Sequence, residues 1–155
     1  MDRVPTSGAV QGSPVGDYAM TLEPLLHAPL AVQIHVATVV PAFLIGTFQI
    51  FISAKGSPLH RALGYLYLVL MSVTAFTTLF VHQLMPHGPF WGLSPIHLLV
   101  PLTLYAVIGA LYGAWTHNIA VHKRAMITLY VGGMLIAGTL TFLPGRIMHA
   151  VVFGG

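Results

Sequence analysis

Histidine is the residue type in this sequence that is best suited to chemistry. The chain of 155 residues contains nine histidines, six Lys and Arg residues, three Asp and Glu residues, and no cysteine. All three acidic residues lie within the first 23 positions. Acid–base and nucleophilic mechanisms need a carboxylate, a thiol or a hydroxyl activated by a nearby base, so a hydrolase is not expected. The imidazoles remain, and they can bind metals or carry protons.

Four histidines occur once in each predicted long helix, towards the same end of the helices. They are His35, His82, His97 and His149. Helical bundles build cofactor and metal sites from side chains at one level on facing helices, and imidazoles are axial ligands of haem iron. We therefore predict a haem b site here, with His35 and His97 as the first pair of ligands and the other two as the competing pair. Arg146 could pair with a propionate.

The same four histidines are also compatible with other chemistry. A zinc or copper ion could be held by imidazoles alone, and a series of histidines could relay protons across the membrane. They could equally hydrogen-bond between helices or lie among lipid headgroups without any cofactor.

A second group of polar residues is predicted at the opposite ends of the helices. Its basic members could bind an anion, such as a phospholipid headgroup, a propionate or a quinone oxygen, or they could serve only to anchor the helices. Its two uncharged members are candidates for buried contact with a quinone. The group consists of His60, Arg61, His122, Lys123, Arg124, Gln49 and Tyr67.

Long uncharged stretches define the elements that must position these residues. Hydrophobic residues make up 56% of the chain and charged residues 6%, against roughly 25% charged residues in soluble proteins. Three stretches, 24–54, 62–122 and 125–145, have no formal charge. A membrane-spanning helix needs about 20 apolar residues, and the proline- and glycine-containing segment 85–89 divides the longest stretch. Helices are predicted over about 28–53, 62–84, 94–117 and 125–150.

The basic residues predict how these helices are oriented. Lys55 and Arg61 lie in the first predicted connection and Lys123 and Arg124 in the third, whereas the second has no Lys or Arg. Cytoplasmic connections are enriched in Lys and Arg, so both termini are predicted to be periplasmic. Six basic residues are too few for a nucleic-acid surface.

Two helical hairpins are predicted to repeat. Arg61-Ala62-Leu63 recurs as Arg124-Ala125-Met126, and the interval of 25 residues from His35 to His60 recurs in the second half. Both copies would have the same orientation, which implies a pseudo-two-fold axis along the membrane normal. Equivalent histidines should then face each other. The equivalent pairs are His35 with His97 and His60 with His122.

Several segments together resemble a family of bacterial predicted membrane proteins of unknown function. They run from His60 to Tyr67, from Ser94 to Leu99, from His122 to Met126 and from Phe142 to Arg146. The resemblance covers about residues 30–154. It implies a four-helix protein of the inner membrane and implies no particular activity.

These observations predict an all-α integral membrane four-helix bundle built from two repeated hairpins. Residues 1–24 form a flexible polar outer tail, and residues 25–155 form the transmembrane domain. The predicted function is electron transfer through haem b or a quinone bound by intramembrane histidines, so any activity would be of the oxidoreductase type. The alternatives are an accessory subunit of a larger membrane complex and a histidine-based metal-binding or transport protein. The lipid bilayer is the expected partner, and a homo-oligomer is possible.

Overall fold

The structure, a computed structural model, describes residues 22–80, 98–142 and 147–153. Within these ranges every regular element is a helix, and there is no β-strand. The short helices α1 and α7 contact each other, and the longer helices lie between them in the chain. The elements are α1 (Glu23–Leu26), α2 (Leu30–Phe51), α3 (Pro58–Thr78), α4 (Leu99–Trp115), α5 (Ile119–Thr128), a π segment (Leu129–Ile136), α6 (Ala137–Thr141) and α7 (Ile147–Phe153).

Three helices are long and apolar enough to cross a membrane. They are α2, α3 and the continuous helix Ile119–Thr141, here called the fourth long helix, which joins α5, the π segment and α6. Helix α4 is also apolar but has 17 residues, and residues 81–97 before it lie outside the described ranges. Large apolar side chains are exposed on these helices, among them Phe51 at 72% and Tyr105 at 77%. Such a surface suits lipid better than water.

Two helices begin earlier than the sequence predicted. Helix α3 begins at Pro58 instead of 62, because the Ser57 side chain caps it by accepting a hydrogen bond from the backbone N of His60. The fourth long helix begins at Ile119 instead of 125, because Asn118 caps it in the same way. The prediction started both helices after the basic residues. Capping side chains set the first turn, and long basic side chains fit within that turn by reaching outward.

The end of the chain also differs from its prediction. A single last helix was expected over 125–150, whereas the structure has the fourth long helix ending at Thr141 and a separate α7, Ile147–Phe153. Residues 143–146 between them lie outside the described ranges. The sequence there includes Pro144, which cannot donate a helical hydrogen bond.

The fourth long helix contains a π segment of eight residues, Leu129–Ile136. The corresponding part of α3 is α-helical. In the predicted repeat, His and Arg are adjacent at 60 and 61, whereas Lys123 separates their counterparts in the second copy. One extra residue rotates the following side chains by about 100° in an α-helix. Each hydrogen bond of a π segment encloses one residue more than in an α-helix. The segment can therefore take up the extra residue and return the following side chains to their original faces.

The helices pack as two hairpins that meet along α3 and α4. Helix α2 packs mainly on α3, and α4 packs mainly on α5. The backbones come close at glycines: a Cβ atom at Gly113 would lie 2.5 Å from the backbone N of His122, and one at Gly133 would lie 2.8 Å from Met71 Cε. Small residues allow such close packing in membranes. The buried core comprises Ala42, Tyr67, Leu68, Met71, Ala106, Val107, Ala110, Leu129 and Met134.

The connections 52–57 and 116–118 lie at the same end of the helices. Trp115 Nε1 donates to the Tyr65 hydroxyl at 3.3 Å, which links the end of α4 to the start of α3. His60 and His122 are also within electrostatic range of each other. We call this the basic end, because it contains the basic connections, and the opposite end the far end.

Candidate functional site

His35 lies near the far end of α2, where it contacts the last turns of α3. Its Nδ1 lies 3.2 Å from the carbonyl oxygen of Thr74 and 3.2 Å from the hydroxyl of Thr77. The Thr78 hydroxyl is 3.3 Å away, and the hydroxyls of Thr38 and Thr74 are 2.9 Å apart. One imidazole and four threonines thus form a polar cluster between α2 and α3, here called the histidine–threonine cluster.

The cluster assigns the proton of His35 to Nδ1. A carbonyl oxygen can only accept, so the contact with Thr74 makes Nδ1 the donor. The Thr77 hydroxyl can donate to the Val73 carbonyl at 3.0 Å, which leaves its oxygen able to accept from Nδ1. The Thr74 carbonyl and the Thr77 hydroxyl therefore favour the same tautomer. Nε2 then keeps its lone pair and is the ring nitrogen able to ligate a metal.

The structure describes only part of the predicted cofactor site. His149 lies on α7, half-buried, with its ring 5.0 Å from that of Phe153 between centroids. His82, His97 and Arg146 lie outside the described residues. Within 22–80, 98–142 and 147–153, no three His, Asp or Glu side chains are grouped so that they could hold a metal ion.

A second polar cluster lies between α2 and α3 nearer the basic end. The Gln49 side chain donates from Nε2 to the carbonyl of His60 at 2.8 Å, and Ser53 Oγ lies 3.1 Å from His60 Nδ1. Gln49 is 2% exposed and Ser53 8% exposed. An added Cβ at Gly64 would lie 3.4 Å from Gln49 Nε2, so a glycine leaves room for this amide.

Two buried polar atoms of the described chain have no hydrogen-bond partner, Gln49 Oε1 and the Tyr67 hydroxyl. Tyr67 is 1% exposed. Leaving a buried polar group unpaired costs about 1–3 kcal/mol, and such atoms are rare in native proteins. One is an acceptor and the other can donate, so each lacks a partner of the complementary kind.

Two tyrosines meet at a glycine in the core. An added Cβ at Gly46 would lie 2.9 Å from Tyr67 Cε2 and 3.0 Å from Tyr130 Cδ2. These tyrosines are equivalent residues in the predicted repeat. The Tyr130 hydroxyl is 2.8 Å from the Thr47 hydroxyl, whereas that of Tyr67 is unpaired. The two copies therefore use the same residue type in different hydrogen-bonding roles.

The cations of the first connection bind the protein's own backbone. Lys55 Nζ donates to the carbonyl oxygens of Gln49, Ile50 and Ser53. Arg61 Nε donates to the carbonyl of Gly56 at 3.2 Å. Lys55 thus satisfies carbonyls at or just beyond the end of α2, which have no helical partner, whereas Arg61 binds a carbonyl of the turn before α3.

The basic residues of the second connection are placed differently. His122 Nδ1 donates to the Ala110 carbonyl at 2.9 Å and so ties α5 to α4. Lys123 and Arg124 are exposed, and neither side chain hydrogen-bonds to a described residue. Together with Ala120, Ile127 and Thr128 they line a shallow groove on the outer surface of α5.

The sequence pointed to part of these clusters. At 100° per residue, His35, Thr38, Gln49 and Ser53 fall on one face of a helix, and Gln49 and Ser53 are buried in the structure. The sequence-based prediction did not include Thr74 and Thr77, which belong to the histidine–threonine cluster. The signal was present, because Thr74, Thr77 and Thr78 are spaced three and four apart and share a helical face.

The long apolar helices and the lipid-compatible surface define the class of protein, an integral membrane protein. The model of a family described as predicted membrane protein (DUF2306) matches residues 32–153. The chain belongs to this family, and the resemblance inferred from the sequence motifs is confirmed in this respect. No curated protein and no solved structure matches the chain.

Proposed function

We propose that the chain is a small electron-transfer protein of the membrane that binds haem b, with His35 as an axial ligand. The observation that supports this most is the anchored imidazole. Histidines that ligate metals usually donate their other ring N–H to a carbonyl or carboxylate, which fixes the tautomer and the ring orientation. His35 has such a partner in the carbonyl of Thr74.

The donor set suits haem better than a metal ion bound only by side chains. A four-coordinate zinc site takes three or four protein ligands. Haem iron needs only one or two axial side chains. The proposed second ligand is His97, the repeat partner of His35, with His82 and His149 as the competing pair.

The proposal includes a membrane topology. The chain forms a four-helix bundle of two repeated hairpins, with the basic end in the cytoplasm and both termini in the periplasm of the inner membrane. The excess of Lys and Arg at one end supports this orientation. His35 then lies in the outer half of the membrane. Arg146 lies near the predicted outer end of the last helix and would pair with a propionate of the haem.

Bound haem b would supply one-electron transfer. The protein's own residues would hold the imidazole and limit access of water. Thr74 and Thr77 are 6% and 7% exposed, so their side chains shield the Nδ1 side of His35. The hydrogen bonds of the histidine–threonine cluster would keep Nε2 in one orientation before the cofactor binds.

A quinone site is a second candidate function, favoured by the two unpaired atoms in the core. A quinol hydroxyl can accept a hydrogen bond from the Tyr67 hydroxyl and can donate one to Gln49 Oε1, whereas a quinone carbonyl can serve only Tyr67. Lipid extraction of the purified protein should then yield quinone, and Tyr67→Phe should lower the yield severalfold. The control is Tyr105→Phe, at a lipid-facing tyrosine that is 77% exposed. Equal yields from both variants and the wild type would exclude this site.

The haem proposal is tested by purifying the full chain in mild detergent from haem-replete cells and measuring haem and metal per chain. We expect about one haem per chain for the wild type and loss of haem in His35→Ala. His27→Ala is the matched control, because His27 is exposed outside the long helices, and it should keep its haem.

Other outcomes would replace the proposal. Colourless wild-type protein with stoichiometric zinc or copper, lost in His35→Ala, would indicate a metal-binding or transport protein. Colourless, metal-free protein that co-purifies with a larger assembly would indicate an accessory subunit. Haem retained in His35→Ala would assign the ligand to another histidine.

A further inference from the structure

The groove on α5 faces away from the protein core. Lys123 and Arg124 lie on the same helical face as Ile127, whereas His122 and Ala125 lie on the opposite face, towards α4. The groove extends from Ala120 to Thr128, about 12 Å along the helix axis at the helical rise. It therefore begins at the basic end and reaches one to two turns into the region of apolar helix.

The cations of this groove have no counter-ion in the ordered helices. The chain contains no Asp or Glu after Glu23, so no acidic side chain follows α1 in the sequence. Lys55 and Arg61 at the same end are occupied with carbonyl oxygens. Lys123 and Arg124 do not hydrogen-bond to any residue in the described part of the chain. Two adjacent cations at the membrane surface without a protein partner favour an anion from outside the protein, as anionic lipids attract Lys and Arg there.

We propose that this groove is a binding site for an anionic phospholipid. The phosphate would lie against Lys123 and Arg124, where guanidinium and ammonium groups donate to its oxygens. The acyl chain would lie against Ile127. Thr128 supplies a hydroxyl one turn below Arg124, near the depth of the glycerol esters. A lipid satisfies both the polar and the apolar parts of the groove, which a free phosphate ion does not.

The site is tested with the full chain purified in detergent and incubated with phosphatidylglycerol or phosphatidylcholine. Native mass spectrometry reports the lipid retained, and thermal unfolding reports the stabilisation. We expect retention of phosphatidylglycerol, and a rise in melting temperature, for the wild type. Lys123→Gln/Arg124→Gln should weaken binding by at least about tenfold, given the usual contribution of a cation near an anionic surface.

A charge-matched comparison separates a specific site from general attraction. Arg124→Gln and Arg61→Gln each remove one positive charge at the basic end, but only the first removes a cation of the groove. Arg124→Gln should lose most phosphatidylglycerol binding, and Arg61→Gln should keep it. Equal loss in the two variants would overturn the site, as would equal retention of phosphatidylcholine.

Inorganic phosphate tests whether a free anion, without a lipid chain, binds in the groove. Millimolar phosphate should neither raise the melting temperature nor displace phosphatidylglycerol. Stabilisation by phosphate equal to that by the lipid would contradict a phospholipid site. The result does not depend on haem, so the lipid site can fail while the proposed function stands.

Discussion

The basic residues at the basic end of the two hairpins have different structural positions. Lys55 follows the C-terminus of α2 and donates to three carbonyl oxygens at or just beyond its end. Lys123 and Arg124 lie in the second turn of α5, after its N-terminus, and are exposed. A helix C-terminus offers free carbonyls, whereas an N-terminus offers N–H groups, which cannot accept from a cation.

The comparison shows that basic residues near a helix connection can have two different structural roles. In the first hairpin Lys55 donates to carbonyls at the end of α2, and Arg61, in the first turn of α3, donates to the turn carbonyl of Gly56. In the second hairpin a three-residue turn leaves no lysine beside the end of α4, and Lys123 and Arg124 remain available to an anion. The backbone carbonyls within reach of a basic residue therefore decide its role, although Lys55, Arg61, Lys123 and Arg124 contribute equally to the positive-inside count.

The largest expected difference between the hairpins is in helix packing. Gly113→Ala places a Cβ 2.5 Å from the backbone N of His122, whereas Gly64→Ala places one 3.4 Å from a side-chain amide. Backbone cannot move aside as a side chain can, so Gly113→Ala should destabilise by about 2–3 kcal/mol and Gly64→Ala by less than about 1 kcal/mol. Unfolding in detergent measures both. Equal effects would mean that the second hairpin is not the more tightly packed one.

The cap formed by Lys55 gives the next largest effect. Lys55→Met removes the donor to three carbonyls and should destabilise the protein by about 1–2 kcal/mol. Lys123→Met removes an exposed cation without a protein partner and should change stability by less than about 0.5 kcal/mol. The measurement is the unfolding free energy in neutral detergent, without anionic lipid. A larger effect for Lys123→Met would reverse the comparison.

The turns themselves should respond in opposite directions. Gly56 has φ +80° and His117 has φ +57°, a region that costs residues with a Cβ roughly 1 kcal/mol. Gly56→Ala should therefore lower stability by about 1 kcal/mol, although nothing lies within 4 Å of the added Cβ. His117→Gly should raise stability by a few tenths of a kcal/mol, because flexibility gained in the unfolded state offsets part of the relief. Melting temperatures that move in the same direction would contradict this account.

The smallest expected effect concerns the histidine–threonine cluster. Thr38→Val removes the hydrogen bond to the Thr74 hydroxyl and should cost about 0.6 kcal/mol, the average for hydrogen bonds between membrane helices. Thr47→Val, which removes the bond to Tyr130, is the control nearer the basic end. If only the Thr38 variant also lost haem, the cluster would be shown to position His35.

The helices were predictable because lipid leaves the chain few choices. Backbone groups cannot remain unpaired in the hydrocarbon core, so uncharged stretches must be helical. The helix starts were less predictable, since Ser57 and Asn118 cap the helices ahead of the basic residues that guided the prediction. The π segment was not predicted, although the extra residue that it offsets, Lys123, is visible in the second copy of the repeat.

Residues of the candidate site could be predicted only where the pattern along a single helix was enough to indicate that they are buried. Gln49 and Tyr67 were expected to be buried polar residues, and both are buried; each lies on a helical face that it shares with small residues. The contacts of His35 with Thr74 and Thr77 depend on how α2 and α3 align along their length. The different roles of Lys55 and Lys123 also depend on where the helices end, and the sequence predicts those positions only approximately.

The most direct test of the proposed function is a reduced-minus-oxidised absorption spectrum of the purified full chain, recorded for the wild type and His35→Ala. The proposal predicts a Soret band and α-band typical of haem b in the wild type, and their absence in the variant. Wild-type protein that is folded, made in haem-replete cells and without these bands would contradict the proposal.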